Sequence, residues 1–342
     1  MFDDRYYNKI IKKYKYNPMD FKPMNFYFNN ISPNIMKTKW LCHSGIDKIN
    51  NYSSTIISTG IGLSGVPHMG TLSQIMRSIF LQSKGFKVQF VLGDLDSYNA
   101  RNQELNIVLK RAEHYKKFIS KLGFDEKKGI LRSQYNDCNI CRDCFLISKY
   151  INDSDFIYTE EDLSDLYIKE KIYKGITFPV KQSILLMIMD FLDLGINKNY
   201  KNIIVMLGIE EHKYVLLARE VLNRMKKDFN IFGLYSKIIK GLNGYPKMSK
   251  SIIKSSIRVD MKPDEIKKII LNETDNYENP DESVIYQLMS SVSYYTIDEI
   301  NELYEICKIK GKDWIKKKEK YSEQLIQICS IWNNIRGDFY ED

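Results

Sequence analysis

The fold of this chain is decided by the stretch Thr59-Gly60-Ile61-Gly62-Leu63-Ser64-Gly65-Val66-Pro67-His68-Met69-Gly70-Thr71. Apolar, β-branched residues at 55–57 precede it and predict a buried strand. Apolar residues recur at helical spacing over 72–80 and predict a helix that stops at Gly85. A second apolar strand follows over 86–92. Strand, loop, helix and strand form a βαβ unit, which is the building block of a parallel sheet.

The glycines of this loop let the backbone approach a ligand closely, and the N-terminus of the following helix adds partial positive charge where a phosphate could lie. Such a loop is a weak signal by itself, because many loops need glycine only to turn. A second stretch far along the chain, Lys247-Met248-Ser249-Lys250-Ser251, makes the signal specific. The two stretches together indicate a nucleotide-dependent enzyme.

The pair of motifs resembles the class I aminoacyl-tRNA synthetases. The similarity rests on Ser64-Gly65-x-x-His68-x-Gly70 and on Lys247–Ser251, in that order and spacing, and it covers about residues 53–275. Phe178-Pro179-x-x-Gln182 and the segment 208–220 look most like the tyrosyl and tryptophanyl enzymes of archaeal and eukaryotic type. The first motif departs from that subgroup and is more similar to class I lysyl enzymes. The family's second signature histidine is Thr71 here.

The resemblance implies an α/β architecture, with a Rossmann-like parallel sheet as the catalytic domain and a small C-terminal helical domain. We expect an N-terminal extension at 1–45, a catalytic domain at 46–256 with an insertion at about 130–175, and a helical domain at 257–342. The implied reaction joins an amino acid to ATP, giving an aminoacyl-adenylate, and then transfers the acyl group to a tRNA 3′ end. Mg²⁺ accompanies the triphosphate. The resemblance also allows a homodimer.

Residue roles follow from the matched motif positions. The resemblance assigns the catalytic role to His68, Thr71, Lys247 and Lys250. The residues implied at the ATP site are Gly60, Gly62, Gly65, Gly70, Gly208, Glu210, Met248, Ser249 and Ser251. The residues expected around the amino acid are Ser58, Asp94, Asp96, Phe178, Gln182, Leu185 and Glu211.

The amino-acid pocket does not follow the family pattern. Tyrosyl enzymes read the phenol hydroxyl with a Tyr and an Asp at the positions that are Ser58 and Leu185 here, so tyrosine is not secured as the substrate. Asp94 and Asp96 follow the second strand, where ligands bind in open α/β sheets. They keep a cationic substrate side chain open, and their alternative role is to cap the next helix.

Three cysteines, Cys138, Cys141 and Cys144, have C-x2-C-x2-C spacing. Three thiolates within one tight turn suit Zn²⁺ or an iron–sulfur cluster. The candidates for a fourth ligand are Cys42, His43, His114, Cys307 and Cys329. The alternative is a set of unligated thiols in a reducing cytoplasm.

The composition sets outer limits on function. The chain has 342 residues and a net charge of +8, which favours an anionic partner such as tRNA, although compositional drift explains the surplus equally well. No apolar run reaches membrane-spanning length, and the N-terminus lacks a signal-peptide core, so we expect a cytoplasmic enzyme without a membrane partner. The basic segment 1–40 is predicted to be a solvated, partly ordered tail, with covering the core or touching RNA as the alternatives. The basic segment 308–320 is predicted to be a helix face that is either solvated or in contact with RNA.

Three other functions remain open on the sequence. A synthetase paralogue could activate an amino acid for a peptide or small metabolite, since about 85 C-terminal residues leave limited room for anticodon reading. A non-catalytic RNA-binding paralogue would not need His68 or the Lys247–Ser251 motif. A nucleotidyltransferase that shares only the first motif would not need the second.

Overall fold

The computed structural model describes residues 2–19, 31, 33–157, 168–171, 175–274 and 276–336. The strands are β1 (Asn17–Pro18), β2 (Cys42–Ser44), β3 (Thr55–Gly62), β4 (Lys87–Gly93), β5 (Gly129–Ser133), β6 (Asn202–Gly208) and β7 (Asn230–Ser236). The helices are α1 (Asp4–Tyr14), α2 (Pro33–Lys39), α3 (Met69–Ser83), α4 (Asp94–Asn99), α5 (Leu105–Lys121), α6 (Cys138–Ile147), α7 (Asp153–Ile157), α8 (Phe178–Ile196), α9 (His212–Met225), α10 (Pro263–Asn272), α11 (Val284–Ser291), α12 (Ile297–Ile309) and α13 (Lys312–Arg336).

One sheet organises the molecule. Within the described residues it has seven strands in the order β1-β2-β7-β6-β3-β4-β5, and β3 to β7 are mutually parallel. The register places Gly62 beside Gly93 and Ser58 beside Val205. β1 and β2 extend the β7 edge in antiparallel fashion. The mixed α/β architecture with a mostly parallel sheet and C-terminal helices was predicted, and the structure confirms it.

The sheet is buried on both faces because its apolar residues do not alternate with polar ones. On β3, Ile56 packs into the cluster beneath α8 and α9, and Ile57 packs into the opposite cluster with α3 and α5. On β6, residues 203, 205 and 207 face the first cluster, and 204 and 206 face the second. Unbroken apolar runs are typical of central parallel strands covered by helices on both sides.

The strand order reverses between β3 and β6. From β3 the chain proceeds through β4 and β5 in one direction, and from β6 through β7 in the other. In open α/β sheets such a switch point opens a crevice at the carboxyl ends of the strands, where ligands bind. Gly62 ends β3 and Gly208 ends β6, so both glycines lie at that edge.

The N-terminal segment differs from the predicted solvated tail. Asp3 caps α1 by accepting a hydrogen bond from the Tyr6 backbone N–H, and Tyr7 and Ile10 are buried. Tyr7, Ile10, Ile11 and Tyr14 follow helical spacing and form the apolar face of α1. Within 2–19 the extension is therefore part of the core.

The C-terminal helices pack against the catalytic half. Trp314, Tyr321 and Trp332 are almost fully buried in the cluster that also contains α3 and α5. The boundary proposed after residue 256 stays a prediction.

The acidic stretch 154–170 is predicted to form a loop and a surface helix. Residues 158–167 of this stretch lie outside the described residues. In the described part of the chain, no helix is long and apolar enough to cross a membrane.

Candidate active site

A cavity of about 680 Å³ opens at the switch point. Its walls come from the ends of β3, β4, β6 and β7, from α3 and α8, and from the loop that contains Lys247–Ser251. A volume of this size suits a nucleotide together with a small substrate. The residues assigned in advance that line it are Gly60, Gly62, His68, Gly70, Thr71, Asp96, Gly208, Glu210, Glu211, Lys247, Met248, Ser249, Lys250 and Ser251.

His68 is the N-cap of α3. Its Nδ1 accepts a hydrogen bond from the Thr71 backbone N–H at 3.3 Å, so the proton of the neutral ring resides on Nε2. Burial and the positive charges of Lys250 and Lys247 lower the pKa of His68 to about 3. A neutral imidazole can therefore donate Nε2–H to an acceptor in the cavity at physiological pH. A Cβ on Gly70 would lie 2.7 Å from the His68 ring, so only glycine fits beneath it.

The two lysines of the second motif approach the cavity from one side. Lys247 Nζ lies 3.7 Å from a Glu210 carboxylate oxygen. Lys250 Nζ donates a hydrogen bond to the Gly62 carbonyl at the end of β3. Burial first, and then the positive charge of Arg111, lower the pKa of Lys250 to about 7. Two lysine amines are thus placed at the edge where a triphosphate would lie, and a bound triphosphate would favour their charged forms.

Backbone hydrogen bonds join the two motifs. Met69 N–H donates to the Ile257 carbonyl at 3.1 Å, and Val259 N–H donates to the Pro67 carbonyl at 3.0 Å. Within the second motif, Met248 N–H donates to the Ile239 carbonyl at 3.3 Å. The segment that carries the lysines is therefore held to the loop after β7 at its start and, just beyond its end, to the first motif.

Glycines widen the cavity where strands end. A Cβ on Gly60 would lie 2.7 Å from the Val91 carbonyl oxygen, and a Cβ on Gly208 would lie 2.3 Å from the Glu210 carboxylate. Gln74 on α3 closes the floor: its amide donates to Thr59 Oγ1 and to the Met206 carbonyl. The result is a smooth backbone surface next to charged side chains.

A second polar group lines the cavity against α8. Asp190 is buried; its carboxylate accepts hydrogen bonds from Arg132 at 2.6 Å and from Gln134 at 2.8 Å. Burial raises the pKa of Asp190, and the Arg132 guanidinium opposes that shift. Ser183 is 7% exposed and, among the described residues, its hydroxyl has no hydrogen-bond partner. Ile184, Met187 and Phe191 supply apolar walls.

Two residues expected around the amino acid are occupied elsewhere. Ser58 is fully buried in β3, where its hydroxyl accepts a hydrogen bond from Gln89 at 3.0 Å. Asp94 is also fully buried and accepts from the Leu95, Gln134 and Tyr135 backbone N–H groups as well as from the Ser133 hydroxyl. Neither lines the cavity. Asp94 does not cap the next helix either, since the N-cap of α4 is Gly93; its carboxylate instead joins the start of α4 to the end of β5.

The residues expected on α8 lie on the wrong faces of that helix. Phe178 is 71% exposed, Gln182 is exposed and accepts a hydrogen bond from the Asn99 amide, and Leu185 packs into the apolar cluster. The face directed at the cavity carries Val180, Ser183, Ile184, Met187, Asp190 and Phe191. The motif placed Gln182 correctly in sequence, but the helix turns its side chain away. Gly65 lies beside the cavity, with its carbonyl bonded to Tyr115.

The cysteine cluster does not form the tight turn that was expected. Cys138, Cys141 and Cys144 lie at successive three-residue steps along α6, so the thiols spread along a helix. The candidate fourth ligands are built into other places; His114, for example, stacks on Trp332 at 3.7 Å. Among the described residues, no group of three or more His, Cys, Asp or Glu side chains is placed to hold a metal ion. The described residues therefore give no support to the expectation of zinc or an iron–sulfur cluster.

Sequence reasoning missed Asp190 and Arg77. Asp190 ends the apolar run at 184–189, and a carboxylate within an otherwise apolar helix is itself a signal. Arg77 lines the cavity on the same face of α3 as Gly70 and Gln74. Burial lowers the pKa of its guanidinium group to about 10. A polar stripe at i, i+4 and i+7 on a buried helix could have identified it.

Comparison with known proteins agrees with the geometry. The family model described as tRNA synthetases class I (W and Y) matches residues 50–327. The Methanocaldococcus jannaschii tyrosine–tRNA ligase is 28% identical over 214 residues, which are 61% of this chain and 62% of that protein. The tryptophan–tRNA ligase of the same organism is 25% identical over 302 residues, 83% of this chain and 78% of that protein.

Solved structures show the same fold. The tryptophanyl-tRNA synthetase of Aeropyrum pernix superposes with a TM-score of 0.77 at 19% identity, covering 99% of this chain and 97% of that one. The tyrosyl-tRNA synthetase of Archaeoglobus fulgidus in complex with L-tyrosine gives 0.66 at 17% identity, covering 85% and 93%.

Proposed function

Because the chain belongs to the class I tRNA synthetases of the tryptophan and tyrosine group, we propose that it activates an amino acid with ATP and transfers it to a tRNA 3′ end. The observation that carries the proposal is the common location of His68, Lys247 and Lys250 on one cavity at the switch point. An adenylating enzyme needs cationic and hydrogen-bonding groups around the triphosphate more than it needs a covalent nucleophile.

The residues support a direct displacement. The carboxylate oxygen of the amino acid bonds to the α-phosphorus of ATP while the bond from that phosphorus to the bridging oxygen breaks, and pyrophosphate leaves. His68 Nε2–H is available to donate to phosphate oxygens, and Lys247 and Lys250 to neutralise the charge that builds on the leaving group. In the second step a ribose hydroxyl of the tRNA end takes the acyl group and AMP leaves.

Magnesium fits this site as part of the nucleotide. The ion prefers oxygen ligands and retains several waters, so one or two carboxylates together with phosphate oxygens suffice. Asp96 and Glu210 line the cavity and supply such oxygens. When bound, the ion would neutralise charge on the phosphates. The described residues hold no preformed cage of three acidic, histidine or cysteine ligands for it.

The amino-acid end favours a neutral side chain. Asp94, which had kept a cationic substrate open, is saturated by hydrogen bonds, and the Asp190 charge is compensated by Arg132. Asp96, the other carboxylate that had kept a cationic substrate open, attracts the charge of Lys250, so a buried lysine side chain would compete with Lys250 for that counter-charge. Apolar walls beside the Ser183 hydroxyl suit a large apolar side chain that carries one hydrogen-bonding group.

Amino-acid-dependent exchange of labelled pyrophosphate into ATP tests the proposal. All twenty amino acids are assayed singly, with and without total tRNA, and formation of aminoacyl-tRNA is measured in parallel. We expect exchange with one neutral amino acid and charging of tRNA by it. Exchange without charging would identify a different acceptor. Absence of exchange with every amino acid would refute the catalytic proposal.

A further inference from the structure

Tyr115 connects three parts of the chain that are remote in sequence. This residue lies on α5 and is fully buried. Its hydroxyl donates a hydrogen bond to the Gly65 carbonyl at 2.8 Å. Its ring centroid lies 5.6 Å from Lys250 Nζ, and the ring of Trp332 on α13 meets it edge to face at 5.1 Å. One aromatic ring therefore contacts the first motif, the second motif and the last helix.

The surroundings of Lys250 explain why the ring matters. Its ammonium donates to the Gly62 carbonyl and is repelled by the guanidinium groups of Arg111 and Arg101, whereas Asp96 attracts it. Arg111 is itself fixed by hydrogen bonds to the Leu63 carbonyl and the Gln103 amide oxygen. Between these cations, the face of an aromatic ring offers a site of negative potential that a hydrocarbon side chain cannot supply.

We infer that Tyr115 is a positioning residue that seats Lys250 against the first motif before the triphosphate arrives, and that Trp332 holds the Tyr115 ring in place. The inference rests on the proposed function only in assigning Lys250 to the triphosphate. Trp332 stacks on His114 at 3.7 Å and 11°, and also contacts Phe118 edge to face, so α13 fixes this face of α5. The helical part of the chain thereby sets the position of a lysine in the active site.

Three variants separate the ring from the hydroxyl and from general packing. Tyr115→Phe keeps the ring and loses the bond to Gly65. Tyr115→Leu removes both. Phe118→Leu is the matched control, because Phe118 is buried on the same helix and touches Trp332, and the interactions described for Lys250 and Gly65 do not involve it. Circular dichroism and thermal unfolding identify a temperature at which all variants are folded, and the variants are compared at that temperature.

Hydrogen–deuterium exchange of the peptide covering residues 245–256 measures how firmly the segment around Lys250 is held, and it does not require activity. We expect Tyr115→Leu to exchange faster in this peptide, Tyr115→Phe to stay close to the unaltered protein, and Phe118→Leu to stay there too. Trp332→Leu should also accelerate exchange in this peptide, but less than Tyr115→Leu does. Trp332→Phe should accelerate it less than Trp332→Leu. Equal exchange in the unaltered protein and in Tyr115→Leu, or equal acceleration by Phe118→Leu, would overturn the inference.

Steady-state pyrophosphate exchange supplies the second readout. Loss of the ring should raise the KM for ATP roughly five- to thirty-fold and leave the KM for the amino acid unchanged. A parallel rise in both constants would indicate a structural role and count against the inference. If the unaltered protein shows no exchange activity, the proposed function fails, while the deuterium experiment still decides the role of Tyr115.

Discussion

At the scale of single residues, the charge of Lys250 is the most direct link between structure and chemistry. Its ammonium lies at the end of β3, beside the cavity. Lys250→Ala should lower the rate of pyrophosphate exchange by about 10²-fold or more, comparable to the loss of one donor that stabilises a developing negative charge. Lys254→Ala is the control, because Lys254 is exposed in the same segment and does not line the cavity. An unchanged rate in Lys250→Ala would remove this residue from the chemistry.

The protonation of Lys250 should couple to ATP binding. The pKa of about 7 lies below the 10.5 of an ordinary lysine, so the free protein holds this amine largely unprotonated at pH 8. A bound triphosphate favours the charged form and raises the pKa again. Binding at pH 8 should therefore take up a proton, and the uptake should vanish below about pH 6, where the amine is already charged.

Calorimetric titration with the magnesium complex of ATP, in buffers that differ in ionisation enthalpy, measures this uptake. Lys250→Gln is the matched control and should lose the proton that Lys250 takes up. Identical uptake by both proteins at pH 8 would contradict the assignment. Arg111 and Arg101, which repel the Lys250 charge, and Asp96, which attracts it, are present in both.

Single residues also show the limits of sequence reasoning. His68, Gly70, Lys247 and Lys250 could be assigned from two motifs, because a motif specifies both residue type and local backbone. Asp190 could be noticed as a carboxylate in an apolar helix, but its partner could not be identified, because Arg132 reaches it from β5. Contacts between residues far apart in sequence are set by the packing of α8 on the sheet, and no local pattern encodes the rotation of that helix.

At the scale of elements, α6 shows how a correct motif can produce a wrong structural expectation. Asp137 caps the helix and the three cysteines follow inside it, so spacing that suits a metal turn is here helical spacing. Cys138 and Cys141 are exposed and Cys144 is half-buried; burial raises the pKa of Cys141 and raises that of Cys144 more. We therefore expect the three thiols to differ in reactivity.

Native thiol titration and elemental analysis check this expectation. Protein purified without chelator should contain far less than one zinc or iron per chain. Cys138 and Cys141 should react quickly with a disulfide reagent, and Cys144 more slowly because less of its thiol is ionised. Cys42, Cys307 and Cys329 are buried and should react only after denaturation. One metal per chain together with three protected thiols would show instead that Cys138, Cys141 and Cys144 bind a metal ion.

At the scale of the whole molecule, the N-terminal segment contributes to stability. Ile10 is 6% exposed on α1 and packs in the cluster shared with α8 and α9. Ile10→Ala should lower the free energy of unfolding by about 2–5 kcal/mol, the range for truncating a buried aliphatic side chain. Urea unfolding measures it, and Lys9→Ala, at an exposed position of the same helix, should stay within about 0.5 kcal/mol. A small effect of Ile10→Ala would restore the view of a solvated tail.

The overall architecture was predictable where local patterns and global arrangement agree. The predicted βαβ unit appears as β3–α3–β4. The N-terminal helix itself could have been predicted, because Tyr7, Ile10, Ile11 and Tyr14 follow helical spacing. Its packing partners could not, because its apolar face meets a core assembled from distant segments. Tyr16 shows the point: its hydroxyl bonds to His212 at 2.9 Å, across 196 residues of sequence.

The backbone bonds from Met69 to Ile257 and from Val259 to Pro67 have an evolutionary consequence. The chain leaves the first motif after Met69 and returns to it at Ile257, so residues 70–256 form one closed loop of the chain. Insertions and deletions in its outer loops alter the substrate wall without changing the separation of the two motifs. A single added residue inside either motif, by contrast, shifts His68 relative to Lys250. Descendants of this fold can therefore diversify what they recognise while the distance on which the reaction depends stays constant.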